Sequence, residues 1–143
     1  SDLTLSPAEI AGAPDALKIH QPLHDRTRAI HAAGFLRPGA GIALAREDIG
    51  RHNALDKLIG ALARASEDPG TGAAVLTSRV SVEMVQKAAM AGLPAIIAAS
   101  APTALARAEA ERAGITLAAF VRDGRFELYA HPERVLTGET DVA

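Results

Sequence analysis

Two arginines, two acids and a histidine fall within one octet, Arg46-Glu47-Asp48-Ile49-Gly50-Arg51-His52-Asn53, where an apolar run gives way to a helical pattern. Guanidinium groups beside a helix N-terminus suit an anion, because the first backbone N–H groups of a helix have no partner inside it and point outward. Asp48 or Asn53 can cap that helix, and Gly50 can supply a turn with positive φ. A plainer reading takes the same residues as a capped helix whose His52/Asp56 and Asn53/Lys57 are solvated i,i+4 pairs. Three further stretches have a similar character. In Thr77-Ser78-Arg79-Val80-Ser81-Val82-Glu83, Ser81 reads as an N-cap and Glu83 suits the first helical turn, which leaves Ser78 and Arg79 for a crevice. In Ser100-Ala101-Pro102-Thr103, Pro102 fits a first helical turn and Ser100 or Thr103 a cap. Finally, Asp123-Gly124 between FVR and RFELY predicts a two-residue type I′ hairpin turn, with Arg122 and Arg125 directly opposed. Like charges so placed repel, whereas two bidentate forks side by side suit a diphosphate; water screening of a hairpin tip is the competing explanation.

These stretches need elements to hold them. From Gly41, GIALA, AAVLT, PAIIAA, ITLAAFV and FELYA read as strands, and helical patterns lie between the first four of these. Ala54, Leu55, Leu58, Ile59 and Leu62 fall on one helical face, and SVEMVQKAAMAG and PTALARAEAERAG each end at a glycine. Alternation of strands with helices of about a dozen residues predicts an α/β three-layer sandwich, its sheet mostly parallel and closed by a C-terminal hairpin. Ligands of such sheets bind outside the carboxyl ends of the strands, where all four stretches fall. Residues 1–40 are expected to form one or two helices, 41–136 the α/β core, and 137–143 a disordered tail, the whole making a single domain over 1–143.

The 143 residues carry a formal charge of −2 and 48% hydrophobic content, enough for one core and without a basic field to attract nucleic acid. No apolar run approaches the ~20 residues of a membrane span, and SDLTLSPAEI has no signal-peptide pattern, so a cytoplasmic protein without nucleic-acid or membrane partners is expected. The chain has no cysteine, which excludes thiolate zinc sites and a thiol nucleophile among these residues. There is no Gly-x-Gly-x-x-Gly, no phosphate-binding loop ending in Gly-Lys-Ser/Thr and no Gly-x-Ser-x-Gly elbow. His20 and His24 have metal-ligand spacing, but Pro22 between them favours a surface pair.

REDIGRHNALDKLIG, LTSRVSVEMVQKAAMAGLPAIIAASAPTALA and AGITLAAFVRDGRFELYAHPERV, in that order, resemble the carboxyl-terminal domain of the FdhD family of formate dehydrogenase accessory sulfurtransferases. The resemblance runs from about Thr27 to about Arg134. It implies a cytidine deaminase-like fold without its zinc site, and a cytoplasmic sulfur carrier. Such a carrier accepts sulfur from a cysteine desulfurase as a persulfide and passes it to the molybdenum bis(molybdopterin guanine dinucleotide) cofactor of formate dehydrogenase, with GDP as an analogue of that cofactor. By position it implies cofactor contacts at Phe120, Val121, Arg122, Asp123, Gly124 and Arg125. We extend these to the other strand-end residues Arg46, Asp48, Arg51, His52, Asn53, Ser78, Arg79, Ser100 and Thr103, and to His31. No catalytic residue and no metal ligand are expected here. The resemblance also suggests a homodimer. Two departures stand out: the family's Thr-Gly-Gly-x-His-Ala-Ala is Thr27-Arg28-Ala29-Ile30-His31-Ala32-Ala33, and its Cys-x-x-Cys persulfide site falls just upstream of Ser1. The chain is therefore expected to be a truncated or separately encoded binding half. The alternative is a non-catalytic guanine nucleotide- or molybdopterin-binding assembly module.

Overall fold

The computed structural model describes residues 2–21 and 30–136. Helix α1 (Pro7–Lys18) opens with a capping box, in which the Ser6 hydroxyl accepts from the Glu9 amide and the Glu9 carboxylate accepts from the Ser6 amide. A β-hairpin follows, β1 (His31–Arg37) and β2 (Gly41–Asp48), then α2 (Arg51–Arg64), β3 (Ala73–Leu76), α3 (Val82–Ala91), β4 (Ala95–Ala98), α4 (Ala104–Ala113) and a second hairpin, β5 (Thr116–Arg122) and β6 (Arg125–Ala130). The six strands make one sheet in the order β2-β1-β3-β4-β5-β6.

The sheet is mixed, which corrects the expectation of a mostly parallel one. Only β3/β4 and β4/β5 pair in parallel; β1/β2, β1/β3 and β5/β6 are antiparallel. The difference comes from β1, which lies in the forty residues expected to be helical. His31–Arg37 is buried along nearly its whole length, so it shows none of the period-two alternation that marks a strand with one wet face. Inserted between β2 and β3, it separates two strands that would otherwise have been parallel neighbours. Among the described residues, the expected N-terminal helical segment therefore holds helix α1 and strand β1. His24, Thr27, Arg28, Ala29 and the expected tail at 137–143 lie outside the described residues.

Helices cover both faces. On one side α1 packs Ile10, Ala13 and Leu17 against Ala32, Val75, Ile97 and Ala118, joined by Leu3, Leu5 and Val135. On the other, α2, α3 and α4 bury Leu55, Leu58, Leu62, Met84, Val85, Ala106 and Ala110 against Phe35, Leu76, Ile96, Leu117 and Ala119. Each such Leu contributes about 1.5–3 kcal/mol by leaving water. The predicted face of α2 is the buried one, with Ile59 partly covered. Close approach requires glycine at Gly72, where a Cβ would lie 2.4 Å from the Leu36 carbonyl oxygen.

Candidate functional site

Strand direction decides which residues share an edge. Because β2, β3, β4 and β5 run one way and β1 and β6 the other, one rim of the sheet holds the ends of the first four and the starts of the last two. His31 opposes Asp48 across β1/β2, Ala33 opposes Leu76 across β1/β3, and Arg122 opposes Arg125 across β5/β6. His31, Arg46 to Asn53, Ser78–Arg79, Ser100, Thr103 and the tip Phe120–Arg125 thus share one rim. With neighbouring strands about 4.8 Å apart, the rim spans roughly 24 Å from β2 to β6.

At the β2–α2 turn the charges mostly engage one another. Gly50 is the N-cap of α2 with φ −92°, so neither Asp48 nor Asn53 caps the helix and no positive φ is used there, contrary to expectation. The Asp48 carboxylate instead accepts from the Gly50 amide at 2.9 Å and from the Asn53 amide nitrogen at 3.5 Å, and pairs with Lys57 Nζ at 2.7 Å. The Lys57 bond, the Gly50 amide and Asn53 hold its carboxyl down to about 2. Lys57 also donates to the Glu47 carbonyl, and Asp56 pairs with Lys87 on α3 at 2.9 Å; these replace the expected Asn53/Lys57 and His52/Asp56 pairs. Arg46 donates to the Ala45 carbonyl, while Arg51 stands exposed at the first position of a helix with no side-chain cap and no acid in its first turn.

The loops after β3 and β4 are tied together by a parallel bridge between Val80 and Pro102, in which the Val80 amide donates to the Ala101 carbonyl and the Thr103 amide to that of Val80. Ser81 caps α3 and Thr103 caps α4, accepting from the amides of Met84 and Ala106; Pro102 precedes the cap rather than entering the helix. Ser78 is buried and donates to the Arg79 carbonyl, so its role is in the turn, while Arg79 is exposed. The Ser100 carbonyl accepts from the Phe120 amide at 3.1 Å and fastens the tip to the β4 loop.

The tip itself has φ 52° at Asp123 and 75° at Gly124, as a type I′ turn requires, and the two arginines are register partners. Val121 is buried against the α1 face, and Phe120 is 43% exposed. Across the described residues, Arg37 and Arg112 pair with acids, Arg46 and Arg134 bond carbonyls, and Arg107 lies over a ring. Arg51, Arg79, Arg122 and Arg125, on the rim, have no such partner among them, and neither has Arg64 in the last turn of α2, away from the rim. Tyr129 and Arg107, beside the tip, escaped the sequence reading because their contact joins positions 22 apart with no motif.

A hollow of about 550 Å³, lined by Asp2, Leu3, Thr4, Arg37, Pro38, Asp68, Gly70 and Thr71, opens at the opposite edge of the sheet. It offers fewer free donors than the rim, since Arg37 there is already paired with Glu67 and Asp68 with the Gly70 amide. No cluster of three metal-ligating side chains occurs among the described residues, and no helix among them is long and apolar enough to cross a membrane.

The chain is similar to several known proteins over nearly its whole length. The model of the FdhD/NarQ family matches residues 1–136. A sulfur carrier protein FdhD of Brucella melitensis is 55% identical over 130 residues, which is 91% of this chain and 48% of the relative. One from Xanthomonas axonopodis pv. citri is 51% identical over 138 residues, 96% and 49% of the two chains. A crystal structure assigned as a formate dehydrogenase accessory protein of Desulfotalea psychrophila superposes with TM-score 0.87 at 33% identity, over 95% of this chain and 61% of that one. The chain spans about half the length of the curated relatives it matches.

Proposed function

Since this chain belongs to the FdhD/NarQ family, we propose that it is the cofactor-holding half of a sulfur carrier that serves formate dehydrogenase maturation, its rim gripping the diphosphates of molybdenum bis(molybdopterin guanine dinucleotide). One observation carries this reading: four arginines without an acidic or carbonyl partner stand along one rim, beside a helix N-terminus that has no side-chain cap. The donor set fits such a group. Opposed guanidiniums at Arg122 and Arg125 match two phosphate oxygens each, and the amides at the start of α2 favour negative charge. A rim of about 24 Å offers room for an extended, multiply anionic molecule rather than a single phosphate.

When bound, the cofactor supplies the molybdenum centre at which sulfur is received. The chain's own residues bind and orient it: Arg122 and Arg125 at the tip, Arg79 at the middle, Arg51 and the α2 amides at the far side. His31, His52, Ser100 and Thr103 complete the rim around them. No thiol is present in these 143 residues, so the persulfide would come from the Cys-x-x-Cys region of the longer relatives, loaded by a cysteine desulfurase. On this reading the protein works in the cytoplasm, as a homodimer, on a cytidine deaminase-like scaffold that holds no zinc. The lack of cysteine favours a second reading of the chain by itself, a guanine nucleotide- or molybdopterin-binding assembly module, and whether a Cys-x-x-Cys is encoded ahead of Ser1 separates the two.

Calorimetric titration of GDP tests the reading. Binding that weakens about tenfold in R122A/R125A, with unfolding unchanged, is expected from the loss of two charge-assisted contacts. No heat on adding GDP to the wild-type chain would overturn it.

A further inference from the structure

Beside the arginine pair the backbone does something costly. Ala119 pairs with Glu127 and Arg122 with Arg125, so between them β5 has two residues, Phe120 and Val121, against the single Phe126 of β6. This is a β-bulge, and its extra residue resets the side-chain alternation. Ala118 and Val121 face the α1 side, Leu117 and Ala119 the side of α2 to α4, and Phe120 is turned out of the core at φ 56°. A bulky aromatic residue at positive φ is an outlier that survives only where its surroundings hold it.

Two contacts hold it. Its amide donates to the Ser100 carbonyl at 3.1 Å. Its ring lies 6.2 Å from that of Tyr129 at 55°, within the range of a favourable tilted aromatic pair. Tyr129 is braced in turn: the Arg107 guanidinium of α4 sits 4.4 Å from its ring centroid, and its hydroxyl donates to Glu127 at 2.6 Å. Arg107, Tyr129 and Phe120 thus form a column that runs from α4 to the rim and ends in a half-exposed ring two residues from Arg122. Folding stability alone does not call for this, since an aromatic ring left 43% exposed at a strained position forgoes the burial that would offset the strain.

We propose that Tyr129, braced by Arg107, is the positioning residue for Phe120, which offers its ring as a stacking face for the planar base of a nucleotide whose diphosphate lies on Arg122 and Arg125. The proposal rests on the anion-binding reading of the rim and adds selectivity for a base-bearing diphosphate over a bare one.

The whole chain is titrated in parallel with GDP and with inorganic pyrophosphate. F120L and Y129L are expected to bind GDP about fivefold to tenfold more weakly, as the loss of one stacking contact implies, and pyrophosphate within about twofold of wild type. Y129F keeps the ring and should restore GDP affinity; R122A/R125A should weaken both ligands. If Y129L fails to fold, F120L and R107Q make the same test from either end of the column. Unchanged GDP affinity in F120L and Y129L overturns the proposal, as does an equal loss for both ligands, and either result leaves the arginine site standing. Failure of the wild-type chain to bind GDP removes the underlying reading as well.

Discussion

The two ends of the rim are both rich in charge and use it in opposite ways. At the β2–α2 turn, Asp48 is encircled by the Gly50 amide, Asn53 and Lys57, and Lys57 reaches back to the Glu47 carbonyl. That cluster satisfies itself, and its work is to fix how a strand becomes a helix. At the β5–β6 tip, Arg122 and Arg125 are register partners that form no ion pair, not even with Asp123 in the turn between them, and the turn needs neither arginine for its geometry. Density of charged residues in a sequence therefore says little about binding. What matters is whether folding leaves the charges a partner within the chain, and by that measure the tip is the stronger candidate although the turn is the more conspicuous stretch of sequence.

Substitution can sharpen this contrast. The largest expected effect is at the tip: R122A/R125A should lower GDP affinity about tenfold while D48N changes it less than about twofold, both by calorimetry. Equal losses in the two variants would break the distinction between the ends. R79A, which removes one fork from the middle of the rim, should cost GDP affinity roughly threefold to fivefold by the same measurement.

Stability should invert the order. The Asp48 carboxyl is held at about 2 by Lys57, Gly50 and Asn53, below its ordinary 3.8. Its contribution is thus complete above 3.8 and fades as the pH falls toward 2. Urea unfolding midpoints of wild type should drop across that window more steeply than those of D48N, whereas R122A/R125A should follow wild type.

A smaller pH effect is expected outside the rim. After β6, His131 places Nε2 2.8 Å from the Glu111 carbonyl and Nδ1 2.9 Å from the Glu133 carboxylate, both of which can only accept. The carbonyl, then Glu133, raise the imidazole above its usual 6.5. Its contribution is full below 6.5 and lost as the pH rises through that raised value. Unfolding midpoints of H131Q should lack this alkaline decline.

Much of the frame was legible beforehand because it is written in local chemistry. The α2 face, the Ser81 and Thr103 caps, the glycine ends of α3 and α4 and the Asp-Gly hairpin each depend on residues within a few positions of one another. Strand β1 was not legible, because burial on both faces erases alternation and its alanines suit a helix equally well. The β2–α2 turn was misread in detail for a related reason: Asp48 chose Lys57 over the helix cap, and Asp56 chose Lys87 on another helix, choices set by geometry that a single segment does not contain.

From the chain of letters alone came the periodic faces, the turn types and the resemblance that groups its motifs. Only the folded sheet decided that β1 inserts between β2 and β3, which strands end at the same edge, and which arginines are left without partners there. The division has a physical cause. Helix faces, caps and tight turns are fixed by interactions over three or four residues, while strand order and the pairing of charges depend on contacts between segments brought together only when the core closes.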